Sequence, residues 1–506
     1  MKLFQQTVCF GLALALCVGL ISGCQNGEEA GAGGSKVEIK LFSDSAVNET
    51  GDPSWLAHVE EEKGIKLLVE APPSTSYVER LQIMLASGDY PDLVCFRTNG
   101  AEFIDAANGG VLIPINEYLE GKDNLKNYTY EQSWHAMKVM QNDDIYGIPR
   151  STMVRQDGFY LRADWLRNLG MEVPEDRTLS LSEFREILER FTHDDPDGNG
   201  KNDTYGIASY NDPSKGMAIT VEETFRLFGW QKAEGGEYAY MDPKYSKVDD
   251  SYKKALEFNA KLFTDELIDP DAPTITTYVN STERFKRGIT GVLRAFPAYI
   301  DGYIEEMRKI DPKADICMVT SITDEDGSSK VGSPYGTGFF GLWGVTVASK
   351  HPDKVVDLLD WLMSEEEWET TMYGMEGVCY NMEGNERKFV PDVYPGIGKA
   401  IVRRNTDMDF YLSATSDYIG FDTIRAALGE CMDNAVYSLD NGYTPSIAGE
   451  PSFIDSQTNL VKAVTKILLG EAPVSSYDAA LEEWYKNGGA EYGEEMNEYI
   501  TKMQNK

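Results

Sequence analysis

The amino-acid sequence predicts an α/β fold with parallel strand pairing, and three observations carry that prediction. Short apolar runs alternate as strands do, apolar residues recur at helical spacing between those runs, and the two kinds of segment follow one another in turn. The 506 residues allow two or three domains of roughly 150 residues each. Hydrophobic residues make up 42% of the chain and aromatics 11%, so a large core is available.

The first strand is Lys36 to Phe42, in which Val37, Ile39 and Leu41 share one face. The polar turn Ser43-Asp44-Ser45 ends it. Trp55 to Glu62 reads as a helix and Ile65 to Val69 as a second strand. Tyr77 to Ala86 is an amphipathic helix carrying Val78, Leu81, Met84 and Leu85 at helical spacing, and Gly88-Asp89 stops it. Leu93 to Phe96 is the third strand. Ligands in such folds gather at the carboxyl ends of strands, which here are Ser43 to Ser45 and Arg97-Thr98-Asn99. Asp44, Arg97 and Asn99 are therefore candidate binding residues.

Further along, Asp143 to Arg150 reads as a strand leaving the first unit, and Phe159 to Arg162 as the next one. A helix runs from Leu181 to Phe191, opened by a capping box of Ser180 and Glu183. Gly291 to Phe296 and Gly344 to Ala348 read as buried strands, and Asp353 to Trp368 as a helix. The last third is mainly helical, with Leu460 to Leu469 its clearest apolar stretch.

The N-terminus has a different character. Lys2 precedes an apolar run, Val8 to Ile21, too short for a comfortable bilayer span of ~20 residues. A charged start, an apolar run and a small-residue exit make a signal peptide, residues 1–23. The exit Ile21-Ser22-Gly23-Cys24 resembles a lipobox, which implies a diacylglycerol on the Cys24 sulfur and an acylated amine. Residues 24–35 are small, polar and glycine-rich, a flexible tether.

The formal net charge is -36, which repels nucleic acid phosphates and anionic headgroups. Nucleic acid is excluded as a partner, and membrane contact is expected through the lipid anchor only. Beyond Cys24, the mature chain holds Cys95, Cys317, Cys379 and Cys431 at spacings that fit neither metal nor redox motifs. Buried thiols are expected, with a disulfide left open in an oxidising compartment.

Five segments, in this order, resemble the extracellular solute-binding proteins of sugar ABC transporters. They are SGDYPDL (Ser87 to Leu93), YGIPR (Tyr146 to Arg150), YLRADWLRNLGMEVP (Tyr160 to Pro174), HPDKVVDLLDWLMSEEEW (His351 to Trp368) and YGMEGVCY (Tyr373 to Tyr380). The pattern is most similar to the large lipoprotein members that bind alginate oligosaccharides. The resemblance implies a two-lobed periplasmic-binding-protein type II fold with hinge-crossing strands and a helical C-terminal region. On that basis residues 36–148 begin lobe 1, 149–342 form lobe 2, 343–378 return to lobe 1, and 379–506 belong mostly to lobe 2. The implied function is a monomeric receptor that closes on an oligosaccharide and docks on a membrane permease.

Asp195-Pro196-Asp197-Gly198-Asn199-Gly200-Lys201-Asn202-Asp203 places oxygen side chains at every second residue. This matches the first half of an EF-hand loop, with Asp195, Asp197, Asn199, the Lys201 carbonyl and Asp203 as ligands of a structural calcium ion. The twelfth position is Gly206 rather than Glu, and the relatives' acidic residue after the last Asp is Thr204 here.

Sugar clefts pair aromatic faces with planar polar groups. Trp343, Phe296 and Trp230 are the candidate aromatics; Arg97, Asn99, Arg150 and Glu376 are the candidate polar groups, with Trp343 as stacking platform and Arg150 as clamp. Competing readings are a secreted glycoside hydrolase, which would use two carboxylates ~5–10 Å apart, and a regulatory lipoprotein on the same fold. His58, His135, His193 and His351 are isolated, and neither a G-x-S-x-G elbow nor a P-loop is present. No catalytic residue is assigned.

Overall fold

The computed structural model describes residues 36–504 apart from 44–53, 74–75, 140–142, 153–156, 214, 326–333, 336–337, 385, 391–392, 394–396 and 406–417. The expected signal peptide, Cys24, the tether and Asp44 lie outside the described residues.

Nine strands build two main sheets: β1 (Val37–Phe42), β2 (Ile65–Glu70), β3 (Leu93–Phe96), β4 (Ile148–Ser151), β5 (Gly158–Arg162), β6 (Tyr205–Ile207), β7 (Thr290–Ala295), β8 (Ile316–Val319) and β9 (Phe339–Val345). The first sheet has the order β2-β1-β3-β9-β4 and the second β8-β5-β7-β6. As expected for α/β units, β1 pairs in parallel with β2 and β3. The returning strand β9 runs antiparallel between β3 and β4, with Trp343 opposite Cys95 and Ile148. In the second sheet β5 runs antiparallel to β7 and β8, while β7 and β6 are parallel. All residues of β3 and β5 are buried, because helices cover both faces and leave no solvent side to alternate against.

Several elements fall where the sequence places them. Helix α1 (Ser54–Lys63) and helix α2 (Tyr77–Ser87) flank the first sheet as expected, joined by a helix not assigned from the sequence, α3 (Ala101–Asn108). Helix α4 (Leu181–His193) starts at the expected capping box: Glu183 N–H donates to Ser180 Oγ at 3.2 Å, and Ser180 N–H donates to Glu183 Oε2 at 2.8 Å.

Three assignments change. Only Ile148–Ser151 of the Asp143–Arg150 run is a strand. Its first half is held elsewhere: Ile145 N–H donates to Asn116 Oδ1 at 2.8 Å, and Tyr146 N–H donates to the Met137 carbonyl at 3.1 Å. The strand expected at Gly344–Ala348 begins earlier, at Phe339, and ends at Val345. The helix expected to reach Trp368 ends as α5 (Pro352–Leu362), and a short helix resumes at Trp368. The Met363 carbonyl accepts Arg404 Nη2 at 2.6 Å and Nε at 3.1 Å, which takes it out of the helical ladder.

The first lobe packs Ile39, Val59, Leu93, Trp343 and Leu359 into one core, and this core includes Ile401 and Val402 from beyond the expected return segment. The second lobe packs Phe159, Trp165 and Phe184 with Leu460, Trp484 and Ile500. These last residues come from helices α6 (Pro451–Leu468), α7 (Ser476–Trp484) and α8 (Ala490–Gln504). Cys95, Cys379 and Cys431 are buried and Cys317 is half-buried. Burial pushes the Cys317 and Cys431 thiols up to about 12. No helix among the described residues is long and apolar enough to cross a membrane.

Candidate functional site

The carboxyl ends of the strands define the site. In the first sheet, Phe96, Ser151 and Phe339 lie at one edge, because Leu342 pairs with Phe96 and Phe339 with Ser151. In the second sheet, Gly158 pairs with Ala295 and Phe159 with Val319, so these ends form a matching edge. The chain passes from one edge to the other between Thr152 and Asp157, a span of at most roughly 20 Å. A short crossing therefore joins the two edges.

On the second-lobe side lies a cavity of about 510 Å³ that includes Asp157, Ser209, Tyr210, Glu222, Tyr278 and Arg294 in its wall. The Tyr210 and Tyr278 rings meet edge to face, with centroids 6.2 Å apart at 70°. The Tyr278 hydroxyl donates to the Arg294 carbonyl at 3.0 Å, which fixes its ring against β7. Ser209 Oγ is buried and has no hydrogen-bond partner among the described residues. A buried hydroxyl without a partner costs free energy, and a polar ligand group supplies that partner.

Glu222 and Glu223 sit on a 3-10 turn, Glu222–Phe225, flanked by two non-glycine residues in the left-handed region: Val221 at φ 51 and Arg226 at φ 57. A β-branched residue in that region costs of order 1–3 kcal/mol and persists only where the surroundings hold it. Asn259 holds it here: its Oδ1 accepts the Thr220 N–H at 2.8 Å and the Thr220 hydroxyl at 2.7 Å. The turn brings Glu223 within 3.1 Å of Arg294 Nη1, and the guanidinium lies over the Phe159 ring at 5.7 Å. Burial raises the Glu222 carboxyl above its ordinary range, with Arg294 pulling it down and Glu223 pushing it up.

The residues singled out in the sequence divide sharply. Arg97 is exposed at the end of β3, with its guanidinium over the Tyr77 ring at 5.1 Å. Asn99 is half-buried; its Nδ2 donates to the Gly442 carbonyl at 3.2 Å, beside a second hollow of about 580 Å³ between the first lobe and α8. Glu376 is exposed on the turn before Tyr380, away from both cavities. Trp343 is 1% exposed and Arg150 1% exposed. They do meet, at 5.7 Å, but inside the first-lobe core. Trp343 is no stacking platform and Arg150 no clamp in this arrangement, because the segment Ile397–Ile401 covers that face of the sheet. Trp230 is 3% exposed, packed in the second-lobe core near Tyr492. Phe296 is 1% exposed, yet it backs the Pro297–Tyr299 turn, whose Tyr299 ring is 47% exposed at the end of β7. The aromatic faces at this edge are thus Tyr210, Tyr278 and Tyr299. The sequence signal that could have found Tyr299 is its place just after Phe296-Pro297.

The loop Asp195–Asp203 joins α4 to β6 at the amino end of that strand, the sheet edge opposite the cavity. Asn199 gathers the carboxylates: its N–H donates to Asp195 Oδ1 at 3.1 Å and Asp197 Oδ1 at 3.2 Å. Its Nδ2 donates to Asp197 Oδ2 at 2.8 Å and Asp203 Oδ1 at 3.1 Å. Gly198 and Gly200 take φ of 68 and 77, as the sharp turn requires. Thr204 points inward, its hydroxyl donating to the Phe191 carbonyl at 2.9 Å, so it faces away from the carboxylates. Among the described residues no group of three acidic, histidine or cysteine side chains stands at metal-holding spacing.

Comparison with known proteins fits this architecture. The chain is 25% identical over 500 residues to lipoprotein LipO of Bacillus subtilis, covering 96% of this chain and 97% of that one. It is 24% identical over 512 residues to the polygalacturonan/rhamnogalacturonan-binding protein YtcQ of the same organism, covering 96% and 97%. Its fold is similar to a crystal structure of the alginate-binding protein AlgQ2 without calcium ion, with a TM-score of 0.62 at 17% identity, covering 92% of this chain and 98% of that one. The bacterial extracellular solute-binding protein model matches residues 46–367. The two-lobed α/β architecture and that match together show that the chain belongs to the bacterial extracellular solute-binding protein family.

Proposed function

We propose that this protein is a lipid-anchored receptor that binds an oligosaccharide between its lobes and delivers it to the permease of an ABC importer. One observation carries the reading: the cavity at the carboxyl ends of β6 and β7 combines tyrosine faces with buried polar acceptors. Tyrosine rings match the C–H faces of sugar rings, and carboxylates accept hydrogen bonds from paired hydroxyls. The joined edge of the first sheet brings Arg97, and rotation of the lobes about the crossings closes the site around a ligand. This chemistry is reversible binding, and the sugar leaves unaltered. The relatives' names, which include a polysaccharide-binding and an alginate-binding protein, support the substrate class.

The loop Asp195–Asp203 is the proposed calcium site. Its donors are hard oxygens, as calcium requires, and they already converge on the Asn199 amide nitrogen. Asp195, Asp197, Asn199 and Asp203 would hold the ion, with the Lys201 carbonyl. At the far edge of the sheet it would brace the fold rather than touch the sugar. The protein acts as a monomer.

The test is a thermal-shift screen of the protein against oligosaccharides, followed by chromatography of the recovered sugar. A ligand that binds the folded state alone raises Tm; a receptor returns it intact, and shortened products would identify an enzyme instead. Anchoring is tested separately: Cys24→Ser is expected to move the protein out of the membrane fraction or leave its leader uncleaved. Full membrane retention with the leader removed would refute the anchor.

A further inference from the structure

Resting on the receptor reading above, we propose that the cleft selects neutral oligosaccharides and rejects those that carry carboxylates, uronic acids above all. The charges that line the second-lobe cavity are Asp157, Asp212 and Glu222 against Lys215, Lys244 and Arg294. The cations look sufficient for an acidic ligand until each is traced to its neighbours. Arg294 is held by Glu223 at 3.1 Å, with Glu222 and Asp157 as its further electrostatic neighbours. One guanidinium thus stands among three carboxylates. Lys244 has its ammonium over the Tyr245 ring at 5.4 Å and serves Asp242 and Glu222. Lys215 is exposed on the Asn211–Met217 hairpin, where Asp212 Oδ1 accepts its main-chain N–H at 3.0 Å, and at so exposed a position its ammonium gives a uronate little net gain.

A uronate entering this cavity has two courses. It displaces Glu223 from Arg294 and leaves a buried carboxylate unpaired, or it stands beside Asp157 and Glu222 as a further like charge. A neutral sugar meets neither penalty. Its hydroxyls donate to Asp157, Asp212 and Glu222 and satisfy the buried Ser209 Oγ. Asn259 holds the turn that presents Glu222 and Glu223 against the strain at Val221, and Arg294 pairs with Glu223, so these carboxylates do not swing away to admit an anion. The formal charge of -36 adds a repulsive field that meets a polyanion before contact. Arg97, on the first-lobe edge, is the cation through which an acidic ligand would defeat this arrangement.

The experiment is calorimetry of the protein against matched pairs that differ only in the carboxyl group. One pair is trigalacturonate with the galactotriose made by reducing it. Another is a glucuronate-bearing xylo-oligosaccharide with its unsubstituted parent. In a pair that binds, the neutral member is expected to bind about tenfold tighter or more at low salt, with the gap narrowing as salt screens the field. Asp157→Asn with Glu222→Gln is expected to narrow the gap by weakening the neutral member and admitting the acidic one. Equal or tighter binding of the acidic member overturns the inference and leaves the receptor reading standing; loss of that binding in Arg97→Ala would name the cation responsible. Binding by no member of any pair counts against the receptor reading itself, and the inference falls with it.

Discussion

The Trp343 indole donates its N–H to the Ile401 carbonyl at 2.7 Å and is packed against Cys95 and Ile148. Tyr299 carries a comparable ring but is 47% exposed, with Phe296 edge on at 5.4 Å. Burial rather than residue type separates a core aromatic from a ligand platform. Trp343→Ala is accordingly expected to cost about 3–5 kcal/mol of folding stability, read by denaturant unfolding, and an unchanged midpoint would contradict the core assignment. Tyr299→Ala is expected to leave stability within about 0.5 kcal/mol while weakening sugar binding by about 0.5–1.5 kcal/mol. Calorimetry on a ligand found by the screen decides it, and full affinity in the variant would place the stacking surface elsewhere. Glu222 bears on pH in the same local way. Burial raises its carboxyl, and likewise those of Asp242 and Asp440. Their folded values lie above those of the unfolded chain, so the folded state holds more protons between the two. Their contribution is therefore full at the acid end of that window and is lost as pH rises through the folded values. Glu183 works in the opposite sense: its bonds to Ser180 lower its carboxyl, so its contribution is lost as pH falls through the lowered value. Melting temperature measured from neutrality down towards the ordinary carboxylate range is expected to rise before acid unfolding sets in. Glu222→Gln is expected to flatten that rise, and an unchanged slope would show that Glu222 titrates normally.

At the scale of elements, the loop between α4 and β6 concentrates Asp195, Asp197 and Asp203 around the main-chain and side-chain N–H groups of Asn199. A calcium ion replaces those N–H dipoles with a full charge, and a site filled at about 100 times its Kd stabilises the fold by about 2.7 kcal/mol. Chelator is expected to lower Tm, and Asp197→Ala to abolish the chelator's effect; a melt indifferent to chelator would leave the loop a turn. Local elements were legible in the sequence because local chemistry sets them. The capping box fixes the start of α4, and unbroken apolar character fixes β3. Elements whose partners are distant were not. The strand expected from Asp143 is diverted by Asn116, and the helix from Asp353 is cut short by Arg404. The candidate site was legible only as a position. Strand ends were legible, but which aromatic is buried and which exposed depended on covers such as Ile397–Ile401 that a linear pattern does not reveal. Glu222 and Glu223 were missed entirely, because the irregular turn that carries them has no helical or strand period.

At the scale of the molecule, neither lobe is one stretch of chain. The first-lobe core joins Ile39 and Leu93 to Leu359 and Ile401, and the second-lobe core joins Phe159 and Trp165 to Leu460 and Ile500. The chain leaves the first sheet after Ser151 and returns to it at Phe339, and because Phe339 pairs with Ser151 both crossings lie at one edge of that sheet. The same interleaving governs the order in which the protein can come into being. Helices α6, α7 and α8 leave the ribosome well after the strands they pack on, yet among the described residues they supply ten of the thirty-five buried in a core begun at Phe159. Until they arrive, the core that β5 to β8 share with α4 lacks Leu460, Trp484 and Ile500, and the contacts that complete it span most of the sequence. A polypeptide of that kind cannot complete its second lobe until the residues from Phe453 to Ile500, far beyond Phe159, have been made, so that lobe closes late in synthesis however early its strands appear.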